Sequence, residues 1–352
     1  MTPSWSAFLE AHGASFDRGA VASFGAPAEE LTAARDAAAV CDLSPVAVLR
    51  IAGADASAFL QGQLTSDVAA LGIGATQYSA WCSPKGRMLA NFLVRRAGEA
   101  SYEVLLPAGL SESIAKRLRM FVLRSRVTIA EVSDEMVRLG VGGPGAVDAI
   151  RAATGAAPAV HEVATLGEIA VAALPGPRYI VMAAPDAAPS SWARVAGTAR
   201  PAGFAAWEWL TIRAGVPVIT PPTADLFVPQ AANWDALGGV SFQKGCYAGQ
   251  EIVARTQYLG RLKERLALAH LDAPAPGAGG RLYSAVFGEQ ACGTIVNAAA
   301  SPNGGSDLLV VLQLAASKSG DVHAGAPAGP ALRLLALPYP VPAPATPRGR
   351  LA

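Results

Sequence analysis

The sequence predicts an α+β protein of more than one domain. Three observations carry that reading: a strand-then-helix entry near residue 46, a pair of strands flanking a Pro/Gly turn at 83–87, and a β-rich texture from about residue 261. At 352 residues the chain exceeds what one core of ~250–300 residues ordinarily supports, so two or three domains are expected. Hydrophobic residues make up 52% of the chain, many of them alanine, and only 16% are charged, the composition of a globular protein rather than a disordered one.

The opening segment reads as helix, most clearly "APAEELTAARDAAAV" (26–40), and "VAVLRIAG" (46–53) as a strand ending in glycine. Asp55 then stands where an N-cap for "ASAFLQGQL" belongs, with Ser66 or Asp67 placed to cap a further short turn. After "LGIGA", the strands "TQYSAWCS" and "RMLANFLVRR" flank "SPKGR", whose Pro and Gly suit a hairpin turn, and "SYEVLLP" adds another strand. From Ser111 to about Ser125 the spacing predicts a helix with Ile114, Leu118, Phe121 and Val122 on one face and Lys116, Arg117, Arg119 and Arg124 elsewhere. Those cations are read either as a solvated face or as a basic rim for an anionic ligand or RNA.

"MVRLGVGGPGAVDAI" contains Gly140-x-Gly142-x-x-Gly145 between a strand-like and a helix-like stretch, formally a dinucleotide fingerprint. It is weak: the chain has 36 glycines, Pro144 stiffens the loop, and no run of βα units follows. Beyond "RYIVMAAP" and the helix "SSWARVAG", "AAWEWLTIRAGVP" is a helix that stops at Gly215 with Pro217 two residues on. The stretches "RLKERLALAHL", "GTIVNAAA" and "LLVVLQL" then alternate as in a small β-barrel or sandwich, and the proline-rich "PYPVPAPATPRGRLA" ends in a loose tail.

Lys+Arg number 28 and Asp+Glu 27, so no global field draws the chain to nucleic acid or an anionic membrane; such binding has to be local. Cys41, Cys82, Cys246 and Cys292 are widely spaced, with no CxxC pair and no zinc-ligand spacing, which fits reduced cytosolic thiols. Glu10 and Asp17 interrupt the N-terminal stretch against a signal or transit peptide, and no apolar run approaches the ~18 residues of a membrane span.

The most specific stretch is "SFQKGCYAGQEIVART" (241–256). Gly245 and Gly249 permit tight or left-handed backbone, and "AGQEIVAR" has helical texture, so Cys246 is expected near a helix N-terminus beside the cationic Lys244. Helix-end amides and a neighbouring ammonium favour thiolate, the form that attacks electrophiles and binds metals. The competing reading of Cys246 is a small buried hydrophobe. Glu251 and Arg255 stand at the i,i+4 spacing of a helix-surface ion pair.

"PQAANWDALGGVSFQKGCYAGQEIVART" resembles the signature of the YgfZ family, folate-binding proteins related to the aminomethyltransferase (T-protein) of the glycine cleavage system. The resemblance extends to "FLQGQLTSDV", "WCSPKGRMLANFLV", "RLRMFVLRSRVTI", "IRAGVPVI" and the late "LPY", most of the chain. It implies a three-domain aminomethyltransferase-like fold around a central channel: residues 1–45 with 139–260 as a discontinuous folate-binding domain, 46–138 as an inserted α/β domain, 261–342 as a C-terminal β-barrel and 343–352 as a flexible tail. It implies a tetrahydrofolate-binding, cytoplasmic, monomeric accessory protein that assembles, repairs or maintains iron–sulfur enzymes, one of which thiomethylates tRNA. Lys244, Gly245, Cys246, Tyr247, Gly249, Gln250 and Glu251 become the motif loop, with Cys246 the redox-sensitive thiol and Lys244 beside it in the chemistry. Folate and iron–sulfur client or carrier proteins are the implied partners. No resident metal is implied: one cysteine ligates a cluster only transiently, shared with a partner.

Three departures bear on mechanism. Asn91 stands where T-proteins carry their catalytic aspartate, as in YgfZ members, and an amide cannot act as a general base. Arg213 replaces the glutamate of the usual "IEAG", which would pair with a pterin's N–H groups. Val46 takes the place of one folate-stacking tryptophan, while Trp207 aligns with the second and is otherwise read as core. Lys85 and Arg87 suit a folate's glutamate carboxylates, or are solvated turn cations. Whether the chain is an enzyme stays open. The alternatives are a folate-dependent methyl or aminomethyl transferase and an RNA-contacting module working through Lys116 to Arg126.

Overall fold

A computed structural model of the chain describes residues 1–258 and 262–342; the expected loose tail, 343–352, lies outside the described residues. The elements run α1 (Pro3–Ala11), β1 (Ser15–Asp17), β2 (Ala20–Ser23), α2 (Pro27–Asp36), β3 (Ala39–Asp42) and β4 (Val46–Ala52). Next come α3 (Ala56–Gln63), β5 (Thr76–Cys82), β6 (Met88–Gly98), β7 (Ser101–Pro107), α4 (Ala108–Arg119), β8 (Thr128–Glu131), β9 (Val137–Gly142) and α5 (Ala146–Thr154). They continue with β10 (Val163–Leu166), β11 (Ile169–Leu174), β12 (Arg178–Ala183), α6 (Ala188–Ala196), β13 (Arg200–Ala202), α7 (Phe204–Arg213) and α8 (Gln250–Tyr258). The C-terminal part holds β14 (Glu264–Leu271), β15 (Arg281–Tyr283), β16 (Ala291–Ala300), β17 (Ser306–Gln313), α9 (Leu314–Ser319), β18 (His323–Ala324) and β19 (Leu332–Leu335). The fold is mixed α+β with predominantly antiparallel sheets. No helix among the described residues is long and apolar enough to cross a membrane.

The chain divides into two compact units. The first comprises Met1–Ala56, Leu71–Thr76 and Val94–Thr211. Its sheet has the order β10-β11-β12-β9-β3-β13, antiparallel except for the parallel β3–β13 pair. Leu139 and Val141 of β9 face a core shared with Trp5, Ile150, Val171, Val181 and Trp192. The alternate residues Gly140 and Gly142 face the other way, and there the missing side chains admit α7: a Cβ at Gly140 would lie 2.5 Å from the Trp207 ring, and one at Gly142 2.6 Å from Leu210. The GxGxxG spacing is therefore helix-packing relief in an antiparallel sheet, and the nucleotide reading falls away. Strands β8, β4 and β7, covered by α4 through Leu110, Ile114 and Leu118, complete this unit.

The second unit comprises Ser57–Ala70, Gln77–Leu93 and the chain from Ile212. Its six-stranded sheet, order β18-β15-β16-β17-β14-β19, closes on a core of Leu271, Leu282, Leu308, Val310 and Leu312. His323 of the edge strand β18 bridges to Ala331, the residue before the other edge strand, β19, and the sheet curls into a half-barrel.

Three local expectations are corrected. The helix expected over 26–40 stops at Asp36, and 39–42 is a strand whose four residues are all buried. The helix expected to reach Ser125 stops at Arg119: the following N–H groups bond three residues back, Leu123 turns left-handed (φ 46°), and Phe121, expected inside, is 46% exposed. Asp55 does not cap α3; its carboxylate accepts from the backbone N–H, Nε and Nη2 of Arg126.

Candidate functional site

Cys246 is exposed, whereas Cys41, Cys82 and Cys292 are buried. It lies in an irregular segment four residues before the first residue of α8. The N-terminal amides expected to face the thiol are engaged within the segment itself: Gln250 N–H donates to the Tyr247 carbonyl, Val253 N–H to that of Gly249, and Tyr247 N–H to Gln250 Oε1. Gly249 is left-handed (φ 80°), and a Cβ there would lie 2.4 Å from the Ser83 carbonyl and 2.8 Å from Gly86 Cα. That close approach locks the motif loop onto the β5–β6 turn, where the solvent-exposed Lys85 sits.

Lys244 takes a different place from the one expected beside the thiol. Its ammonium donates to the carbonyls of Gln61 (2.6 Å), Leu64 and Ser66 (3.0 Å), filling the role of a C-cap for α3, and lies 5.2 Å from the centre of the Tyr247 ring. Burial pulls its pKa down to about 8, with Asp67 opposing the shift. Tyr247 is buried, and its Oη has no partner among the described residues. Burial, together with the nearby Cys82 thiol, holds the phenol well above its ordinary range; Cys82 itself is pushed up to about 12 by burial and then by Asp225. Gln250 is half-buried and Glu251 exposed at the start of α8, and no ion pair joins Glu251 to Arg255 among the described residues.

Asn91 is 6% exposed in β6, with both ends of its amide committed. Nδ2 donates to the Pro217 carbonyl (2.7 Å) and Oδ1 accepts from Ile219 N–H (2.8 Å). The two partners fix which end is which, since a carbonyl only accepts and an N–H only donates. Arg213 is exposed and pairs with the buried Asp307 at 3.7 Å, and Asp307 also meets His270 Nδ1 at 2.7 Å.

With this geometry in view, comparison with known proteins decides the family. The model described as the GCVT N-terminal domain matches residues 10–183. The tRNA-modifying protein YgfZ of Sodalis glossinidius is 33% identical over 302 residues, 84% of this chain and 91% of that protein. The chain belongs to the YgfZ family. The YgfZ of Escherichia coli O7:K1 is 34% identical over 69% of this chain and 74% of that protein, and that of Edwardsiella ictaluri is 36% identical over 62% and 66%. In fold, this YgfZ-family chain is similar to the crystal structure of glycine cleavage system aminomethyltransferase T from Bartonella henselae, with a TM-score of 0.75 over 95% of this chain and 96% of that one; at 17% identity the likeness is one of fold.

In the first unit, Trp207 is 6% exposed, with its ring against Gly140 and the Arg178 guanidinium 5.5 Å from its centre. Arg178 is held by the Pro175 carbonyl and the Thr211 hydroxyl. Beside Trp207, Glu208 is exposed, yet enough water is excluded around it to raise its carboxyl above the ordinary range. Sequence reasoning missed several groups of this YgfZ-family chain. Gln230 donates Nε2 to the Val253 carbonyl of α8 while its buried Oε1 has no partner among the described residues, and His270 bridges Asp307 and Asp272. Nothing in spacing links Gln230 to Val253 or His270 to Asp307, which lie 23 and 37 positions apart.

Proposed function

We propose that this chain binds a reduced folate, tetrahydrofolate or a one-carbon derivative, and uses Cys246 in the cytoplasm, as a monomer, to maintain iron–sulfur enzymes that modify tRNA. The reading rests on relatives named tRNA-modifying proteins and, above all, on one observation: of four thiols only that of Cys246 is exposed, on a loop held at both ends by Lys244 and Gly249.

The residues present fit a pterin. A pterin offers N–H donors and ring nitrogen and oxygen acceptors. Gln230 Oε1 is a buried acceptor awaiting a donor, and Tyr247 Oη is a buried hydroxyl awaiting either. Lys85, exposed and unpaired among the described residues, would take the glutamate carboxylates. Trp207, Asn91 and Arg213 already have protein partners. Bound folate would supply one-carbon chemistry. No base stands at Asn91 to drive ordinary aminomethyl transfer, which speaks against the transferase reading.

The thiol of Cys246 undergoes reversible oxidation or joins a cluster shared with a client or carrier protein. Among the described residues no group of three or more His, Cys, Asp or Glu is arranged to hold a metal, so a cluster would need the partner's ligands. The test compares wild type with Cys246→Ser in cells lacking the native protein, scoring [4Fe–4S] enzyme activity and tRNA thiomethylation, alongside tetrahydrofolate titration of the purified proteins. Loss of rescue with folate binding retained is expected. Equal rescue removes the cysteine from the mechanism, and absence of folate binding in the wild type removes the cofactor.

A further inference from the structure

The end of α4 presents a combination that folding alone does not account for. Between residues 116 and 126 the chain carries Lys116, Arg117, Arg119, Arg124 and Arg126, all exposed, and no acid. Interleaved with them, Met120 is 63%, Phe121 46% and Leu123 87% exposed. A leucine at φ 46° is disfavoured by its own Cβ, and at this exposure burial returns nothing, so neither backbone preference nor core packing explains the residue.

The base of the projection is fastened. Arg126 is tied to Asp55 by three hydrogen bonds, and Gly53 (φ 133°) lets the Arg126 carbonyl come where a Cβ would be 2.0 Å from it. Arg119 gives two bonds to the Ile129 carbonyl. The tip is thus presented on a held frame, and Lys116, Arg117 and Arg124 have no partner among the described residues. A shallow depression of about 710 Å³ opens beside Phe121, Leu123 and Arg124.

Cations follow phosphates, which line the backbone of any RNA at close spacing. We propose that the Met120–Arg126 tip with the end of α4 is an RNA-docking surface that holds tRNA by its backbone through Lys116, Arg117 and Arg124. The proposal deepens the reading above, on which it rests for the choice of tRNA, and it places the RNA on a surface that needs neither folate nor Cys246. With a net charge of only +1 on the whole chain, this local cluster rather than the overall field would carry the interaction.

The experiment measures binding of unmodified tRNA transcripts to purified full-length protein by fluorescence anisotropy across a salt series. Arg117→Ala/Arg124→Ala removes two phosphate contacts and is expected to lower the salt slope by roughly 1.5–2, so that between about 50 and 200 mM salt the wild type loses about tenfold more affinity than the variant. Cys246→Ser binds tRNA like wild type, which separates failure here from failure of the cysteine mechanism. All substituted positions are exposed, and unchanged circular dichroism confirms folding. Wild-type and variant proteins with the same affinity and slope overturn the proposal. So does a protein that ignores tRNA and sediments with phosphatidylglycerol vesicles through the same residues.

Discussion

Replacing Asn91 by aspartate exchanges one N–H₂ for one oxygen at a site where the structure specifies the consequence. At the Oδ1 end little is lost: Ile219 N–H at 2.8 Å still finds an acceptor, and a charged one strengthens the bond by ~1 kcal/mol. At the other end a carboxylate oxygen meets the Pro217 carbonyl at the 2.7 Å of a former hydrogen bond. A donor is gone and two acceptors oppose each other, which costs ~1–3 kcal/mol, and ionising a side chain only 6% exposed adds several more before relaxation. We expect a net loss of about 3 kcal/mol at neutral pH. Once protonated, by contrast, the introduced carboxyl of the Asn91→Asp variant can donate its O–H to Pro217 and still accept from Ile219. At 1.36 kcal/mol per pKa unit, the deficit places the folded-state pKa of the new carboxyl at ~6 against ~3.9 unfolded. The fold then favours the protonated form, so the deficit is full above the folded value and vanishes as pH falls below the unfolded one. Thermal unfolding of wild type and Asn91→Asp should differ by about 4–8 °C above neutrality and converge on acidification, while Asn91→Ala, lacking both bonds, should show a pH-independent loss. Equal stability at neutral pH, or a deficit in Asn91→Asp that ignores pH, would refute the reasoning.

Thiol labelling should find one reactive cysteine in the native protein and four in denaturant, with Cys246→Ser abolishing the native signal; burial that holds Cys82 near 12 and raises Cys41 and Cys292 keeps those three silent. Lys244 keeps its proton to about 8 in the fold and to 10.5 unfolded, so between these values the unfolded chain binds more protons and folded stability gains with pH. Urea midpoints taken on either side of pH 8 should therefore show wild type pulling further ahead of Lys244→Met at the higher pH. Gly140→Ala drives a methyl to 2.5 Å from the Trp207 ring and should cost ~1–3 kcal/mol, visible in thermal unfolding and in tryptophan emission.

The α+β class and the β-rich C-terminal part were legible because strand alternation and Pro/Gly punctuation are local. The Cys246 loop was legible for the same reason: Gly249 is left-handed, and the helix begins right after it. Periodicity misled at the end of α4, where Phe121 and Val122 continue the apolar spacing beyond the last helical turn; spacing does not register a chain that turns left-handed at Leu123. Asp55 had the right residue type for a cap, but Arg126, 71 positions on, competes for its carboxylate. The Lys244 and Asn91 partners are more than 120 positions away, and no local pattern encodes them. The GxGxxG spacing shows that glycine count alone does not distinguish room for a phosphate from room for a tryptophan.

The lysine that ends α3 belongs to a segment made roughly 180 residues later. While the ribosome is still short of that point, the terminal carbonyls of this helix have only water to bind. Synthesis of the sulfur-bearing segment and completion of the helix are thus one event, and a truncated or misassembled chain presents no correctly aimed thiol. Selective reactivity at position 246 alone is in this way reserved for molecules that have finished folding, since an unfinished chain leaves the other three thiols open as well.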